Sequence, residues 1–208
     1  MVIKLQGQLE ANRPFTLLAW GHWFTLANFI LALVVSYFYI NANPAPQSFS
    51  GWFYLLISWL GHFAFLSLSC FILTIFPVIT LFPTKRFIRG VSALMASILQ
   101  LYLFLDVLAF RGLGYHLSTS SIDQLSEVED VYVASLGNGY WVLLLAMFIF
   151  ILIYQFFVSN FTWKRIQQLQ GFRYKNVLAN GLFACFILSH LMHIWADATL
   201  HTDISKQD

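Results

Sequence analysis

Five stretches of the chain are apolar on every face, at about 17–40, 51–82, 91–110, 140–158 and 177–197. A bilayer core about 30 Å thick calls for about 20 such residues in a helix. None of the runs shows the ten-residue alternation of barrel strands, so the pattern predicts helices. The second is too long for one straight crossing at about 1.5 Å per residue. Pro77 is expected to kink it, and Pro83 to help end it before Lys85. The first run outlasts a secretory h-region and closes on no small-x-small cleavage site, so it reads as an uncleaved span. The fold class expected is all-α, a bundle of five transmembrane helices, with residues 1–208 forming one membrane domain.

The connections are short except one. Residues 41–50 make an uncharged Pro/Asn/Ser turn, whereas 112–139 hold a possible interfacial helix. Ser121-x-x-Gln124 fits a capping box, Ile122, Leu125 and Val128 follow at helical spacing, and Gly137-Asn138-Gly139 would end the element. The stretch 162–175 mixes Trp163, Phe172 and Tyr174 with bases. It suits either an interface against anionic lipid or a solvated loop.

Composition narrows the class. The chain is 59% hydrophobic and 10% charged, against about 25% charged in soluble domains. That is too little charge to coat a water-facing surface, and too much apolar residue for disorder. A net charge of +2, dispersed along the chain, points to no nucleic-acid partner. Cys70 and Cys185 lie in apolar runs and read as small buried hydrophobes, with no disulfide framework.

The few charges are sorted. Lys4, Arg13, Lys85, Arg86, Arg89, Lys164, Arg165, Arg173 and Lys175 fall on one side, and only Arg111 and Lys206 on the other. The positive-inside rule then predicts a cytoplasmic N-terminus and a C-terminus outside. Lys85, Arg86, Arg89, Lys164 and Arg165 are the expected headgroup contacts on the cytoplasmic side.

Polar residues inside the spans are the candidate sites, because burying them is costly. Asn28, His62 and Gln100 each lie about ten residues into a span and could meet near the midplane. Interhelical hydrogen bonding is their plain structural reading. At the outer end, His190, His193 and Asp197 share one stripe of the fifth helix, and Asp106 and Arg111 end the third. A hydrogen-bonded network between those two helices is expected, with a lipid-headgroup or partner-contact site as the alternative. Two imidazoles and a carboxylate are zinc-type donors, but no HExxH and no second-helix ligand set accompanies them, so neither metal nor cofactor is expected. GxSxG, P-loop and dinucleotide fingerprints are missing. Asn160-Phe161-Thr162 fits a glycosylation sequon, but on the side predicted to face the cytoplasm.

Several blocks have a family likeness: Trp20-Gly21-His22-Trp23-Phe24, Gly61-His62-Phe63, Phe76-Pro77, Ser189-His190 and Ile194-Trp195-Ala196-Asp197-Ala198. Arg86, Arg89, Asp106, Phe110, Arg111, His116, Trp163 and Lys164 add matching residue types. In order, and on a five-span layout, they resemble the membrane domain of the YejM/PbgA family of Gram-negative inner-membrane proteins. The resemblance implies a multi-pass module that is not an enzyme and helps set lipopolysaccharide synthesis. Family members sense lipopolysaccharide and restrain a membrane adaptor, which otherwise delivers the committed deacetylase of lipid A synthesis to a membrane protease. Cardiolipin binding or transport is a further role proposed for the family.

The family continues into a basic linker and a sulfatase-like periplasmic domain, whereas this sequence stops at Asp208. A cut-down form, a split gene product or a natural short form are the expectations, and lipid contacts assigned to that linker do not carry over. His193 stands where an aromatic residue is expected in relatives. The resulting expectation is a non-catalytic module that binds membrane lipid (anionic phospholipid or lipopolysaccharide) and a membrane adaptor protein. Asp106, Arg111, His116, His190 and Asp197 are then lipid or partner contacts, or a structural network. The alternative is a lipid carrier, for cardiolipin, or an intramembrane enzyme working at that outer cluster.

Overall fold

A computed structural model of the chain describes residues 13–41, 45–117 and 123–204. All regular structure among them is helical. In chain order the elements are α1 (Arg13–Ile40), α2 (Phe49–Cys70), a π-helical turn (Phe71–Ile75) and α3 (Phe76–Leu81). They continue with α4 (Lys85–Leu113), α5 (Asp123–Leu136), α6 (Gly139–Lys164), α7 (Ile166–Gln170) and α8 (Lys175–Ile204). Five of these are long and apolar enough to cross a membrane: α1, α2 through α3, α4, α6 and α8.

The helices outrun the apolar stretches that announce them. The third span starts at Lys85 rather than near 91, and the fourth continues to Lys164 rather than ending near 158. Hydropathy marks where the apolar run stops, but a helix carries on while its next turn still has something to bury. Ile88 and Thr162 are those buried residues.

The irregularity in the second span lies one turn before Pro77. Phe76 donates its N–H to the Phe71 carbonyl, five residues back, and Pro77 then sits in the first turn of α3. Proline offers no N–H to the carbonyl of Leu73, and its ring crowds that group, so the wider turn accommodates both. Ser48 caps the other end of the span, its hydroxyl accepting the Gly51 N–H at 3.1 Å.

Packing divides the spans into two sets. α1 runs through the middle, with α4 and α6 against it and against each other. Leu17, Trp20 and Phe24 of α1 are fully buried with Ile79, Ile88, Val158 and Ile166 from four other helices. The Trp20 Nε1–H reaches the Ser159 carbonyl at 3.2 Å, joining α1 to α6. α4 presents Ser92, Ala93, Ser97 and Ala109 on its buried stripe, and small residues of this kind let helix backbones approach closely in lipid.

On the other flank α2 packs on α1, and α8 packs chiefly on α2. The α2–α8 seam is tight at one glycine. A Cβ on Gly61 would lie 2.6 Å from the Cys185 carbonyl oxygen, so only glycine permits this approach.

The stretch 112–139 holds the helix α5. Its Val128 is fully buried against Leu108, Ala109 and Tyr140, and the Tyr132 hydroxyl donates to the Leu108 carbonyl at 3.1 Å. Gly137, at φ +57, ends it as the pattern suggests. Ser121 of the capping box lies outside the described residues.

Candidate functional site

The two sets of helices do not close on each other. Between the α2–α8 pair and the α1–α4 pair lies a half-enclosed cleft of about 840 Å³. α1 forms its back wall. The second and third spans make their chief contact through the π-helical turn, whose Phe71, Thr74 and Ile75 line the deep end.

The mouth is built around Asp106. Gly114 ends α4 in the left-handed conformation, at φ +81, and turns the chain back so that the next residues reach the helix they have left. The Leu117 N–H then donates to Asp106 Oδ1 at 2.5 Å, and His116 Nδ1 lies 2.9 Å from Oδ2. The Tyr39 hydroxyl of α1 donates to the same Oδ2 at 2.5 Å. The His116 ring stacks on Phe110, with centroids 4.8 Å apart, and meets Tyr39 at 5.1 Å. Asp106 is only 15% exposed and His116 60%, so the carboxylate is mostly buried and its imidazole partner exposed.

This arrangement corrects the network expected between the third and fifth helices. Asp106 is held by the first span and by its own following loop. His193 shares a 3.0 Å hydrogen bond with the Tyr54 hydroxyl of α2, and His190 Nδ1 pairs with the Phe186 carbonyl of its own helix at 3.0 Å. The physical reason is that α8 docks on α2, with the cleft between it and α4. His190 and His193 therefore face Asp106 and His116 from opposite walls of one cavity. Asp197 belongs to α8, but its side chain is outside the described ones. Arg111 points elsewhere, its guanidinium 5.9 Å over the Phe38 ring.

Beside the mouth, the Tyr115 hydroxyl donates to Glu127, which pushes its pKa up, and this bond ties the loop to α5. Tyr132 is also pushed up, by burial, with the charge of Arg111 acting against the shift.

At mid-depth the structure brings Asn28 and Gln100 together and adds a residue that the reading of the sequence missed. Asn28 and Gln155 exchange hydrogen bonds, Nδ2 to Oε1 at 3.2 Å and Nε2 to Oδ1 at 2.6 Å, and Gln155 is fully buried. Gln100 Nε2 donates to the Asn28 carbonyl at 2.9 Å, and the Tyr154 hydroxyl to the Ala27 carbonyl at 2.8 Å. Three spans are thus joined through one turn of α1. His62 does not join them; it lines the cleft from α2 with its ring edge-on to Phe63 at 5.4 Å. Next to this cluster, Trp59 Nε1–H donates to the Ser36 hydroxyl at 2.7 Å across the α1–α2 contact.

Three polar atoms of the cleft wall are buried without a hydrogen-bond partner: Thr25 Oγ1, Ser92 Oγ and Gln100 Oε1. Among the described residues, no three His, Cys, Asp or Glu side chains are grouped so as to hold a metal.

The basic end has a different construction. Lys85 Nζ sits 4.3 Å over the Trp163 ring, and the Arg89 guanidinium lies 5.9 Å from the same ring. Arg89 also donates to the Ser159 hydroxyl at 3.1 Å and to the Asn160 side chain. Arg165 stacks 5.0 Å over Phe161, whereas Arg86 and Lys164 are exposed. Trp23 meets Phe172 edge-on at 5.9 Å, and Ile166 of α7 is buried in the central core, so the 162–175 stretch folds back onto the bundle.

Comparison with known proteins places the chain in a family. The family described as Domain of unknown function (DUF3413) matches residues 10–208. Proteins of Salmonella typhimurium and Salmonella typhi, both named Inner membrane protein YejM, are 29% identical over 192 residues, or 92% of this chain. An uncharacterized protein of Haemophilus influenzae is 29% identical over 91% of the chain. The match takes in 32% of each relative, so the chain spans about a third of their length. The chain belongs to the DUF3413 family and is a multi-pass inner-membrane protein of the YejM type.

Proposed function

We propose that this member of the YejM-type family is a non-catalytic regulatory module. In this reading it controls lipopolysaccharide and envelope lipid synthesis by binding a membrane adaptor protein and lipid. The basic end lies in the cytoplasm and the Asp106 end faces the periplasm.

The observation that carries the reading is the cleft. Its about 840 Å³ fall in the range of ligand-binding cavities, and it lies between helices that otherwise meet lipid. A binding module needs such a receptacle. At the mouth, the neighbours of Asp106 fix a loop: Leu117 N–H, His116 and Tyr39 all converge on one carboxylate. Adaptor recognition would use close packing and polar pairs between helices, because lipid is as apolar as leucine and supplies no hydrophobic drive. Lys85, Arg86, Lys164 and Arg165 give the cytoplasmic end its contacts with anionic headgroups, each contributing about 1 kcal/mol.

Affinity purification in mild detergent, with crosslinking and identification of the proteins and lipids recovered, tests this. Recovery of a membrane adaptor together with lipid is the expected outcome. Phospholipid alone, with no adaptor after crosslinking, would contradict it.

A further inference from the structure

We infer that the cleft seats one phospholipid whose headgroup carries a primary amine, the ammonium at Asp106 and an acyl chain running toward Phe71 and Ile75. The inference rests on the proposal that the module binds lipid, and it names the class of lipid.

Shape limits the occupant first. Along α4 the lining runs from Asp106 to Ser92, 14 residues or about 21 Å of helix. That is more than half of a hydrocarbon core about 30 Å thick. The cavity is therefore long in the direction of a lipid chain. A partner helix, about 10–12 Å across with its side chains, would need far more room over that length.

Charge selects the headgroup. Asp106 is the one carboxylate on the described lining, and neither lysine nor arginine lies on it. The carboxylate accepts from Tyr39, His116 and Leu117, which leaves one of its roughly four lone-pair sites for another donor. An ammonium supplies that donor and neutralises the charge. The headgroup phosphate then finds, on the facing wall, the one donor left over by the Tyr54–His193 hydrogen bond. A headgroup with phosphate and no amine would meet Asp106 with no fixed cation to offset the repulsion.

Unpaired polar atoms argue that the cleft is occupied. Gln100 is 6% exposed and Ser92 2%; both residues line the cleft, and Gln100 Oε1 and Ser92 Oγ are buried in its wall without partners. Gln100 Oε1 lies about 9 Å below Asp106 along α4. Such atoms are costly to leave unpaired in lipid, so water entering with the occupant completes them.

The test is lipid retention by the purified full chain. The protein is exposed in detergent to equal amounts of phosphatidylethanolamine, phosphatidylglycerol and cardiolipin, and bound lipid is read by native mass spectrometry. One retained phosphatidylethanolamine per chain is expected, favoured at least about tenfold over either anionic lipid, about 1.4 kcal/mol. Asp106→Asn should erase the preference while keeping the lipid, and Leu99→Trp, which fills the slot, should remove the lipid. Equal retention of the three lipids, preference for an anionic one, or unchanged retention in Leu99→Trp would overturn the inference. If Asp106→Asn does not fold, the wild-type preference and Leu99→Trp decide it. Adaptor recovery from the wild type is scored separately. If the adaptor is captured but phosphatidylethanolamine is not preferred, the lipid assignment fails and the regulatory reading stands.

Discussion

The two sides of the cleft are built on different terms. In α1, α4 and α6, 33%, 28% and 22% of the most apolar window is buried within the protein, against 17% for the second span and 0% for α8. The first set is a locked unit, with aromatic residues in a shared core and amides paired across helices. The second is a pair of helices laid against it, close-packed on each other at Gly61 and joined to α1 through Phe63 and Trp59 of α2. The difference teaches where each kind of residue should matter. Stability resides in the locked set, whereas the cleft can be altered at less structural cost where α8 and α4 stand apart across it.

Substitutions can break this contrast, and the largest effect belongs to the central core. Trp20→Ala deletes a fully buried side chain and its hydrogen bond to Ser159. It should cost about 3–5 kcal/mol, read as reduced resistance to denaturation in mixed micelles. An unchanged denaturation profile would mean that the core is not where the bundle is held. Asn28→Ala leaves Gln155 buried with its amide unmatched, and should cost about 1–3 kcal/mol in the same assay. The double variant Asn28→Leu with Gln155→Leu should recover part of that loss, since neither amide is then stranded.

Gly61→Leu acts on the other side. Its side chain enters the Cys185 backbone and should loosen α8 from α2 by about 1–3 kcal/mol. The measurement is a disulfide or crosslink between cysteines engineered along the α2–α8 seam, which should fall while α1–α6 crosslinks persist. Loss of both would show that the two sides are one cooperative unit. Smallest of all, Lys164→Ala removes an exposed cation and should shift stability by less than about 0.5 kcal/mol.

The spans were legible in the sequence because lipid imposes the same demand on every turn of a crossing helix, so hydropathy alone marks them. The meeting of Asn28 and Gln100 was legible too, since helix direction and rise place them at matching distances along their spans. Their partner was missed although the signal was there: Gln155 is an amide inside the apolar run Ile151–Val158, and the rule that singled out Asn28 applies to it equally. Which helices are neighbours is another matter. Nothing in the spacing of His190 and His193 says that α8 rests on α2, so the expected bond to Asp106 could not be distinguished from the observed one to Tyr54. Tyr39 was likewise hidden, because a tyrosine at a membrane end reads first as an interfacial anchor.

His62 separates the two sides most directly. It lines the cleft but stands outside the amide cluster. The decisive measurement is bound lipid per purified His62→Leu chain, taken beside its denaturation midpoint. An unchanged midpoint with altered lipid retention is the result expected of a cleft built to bind. A lowered midpoint with lipid retained as in the wild type would contradict it, making His62 part of the scaffold.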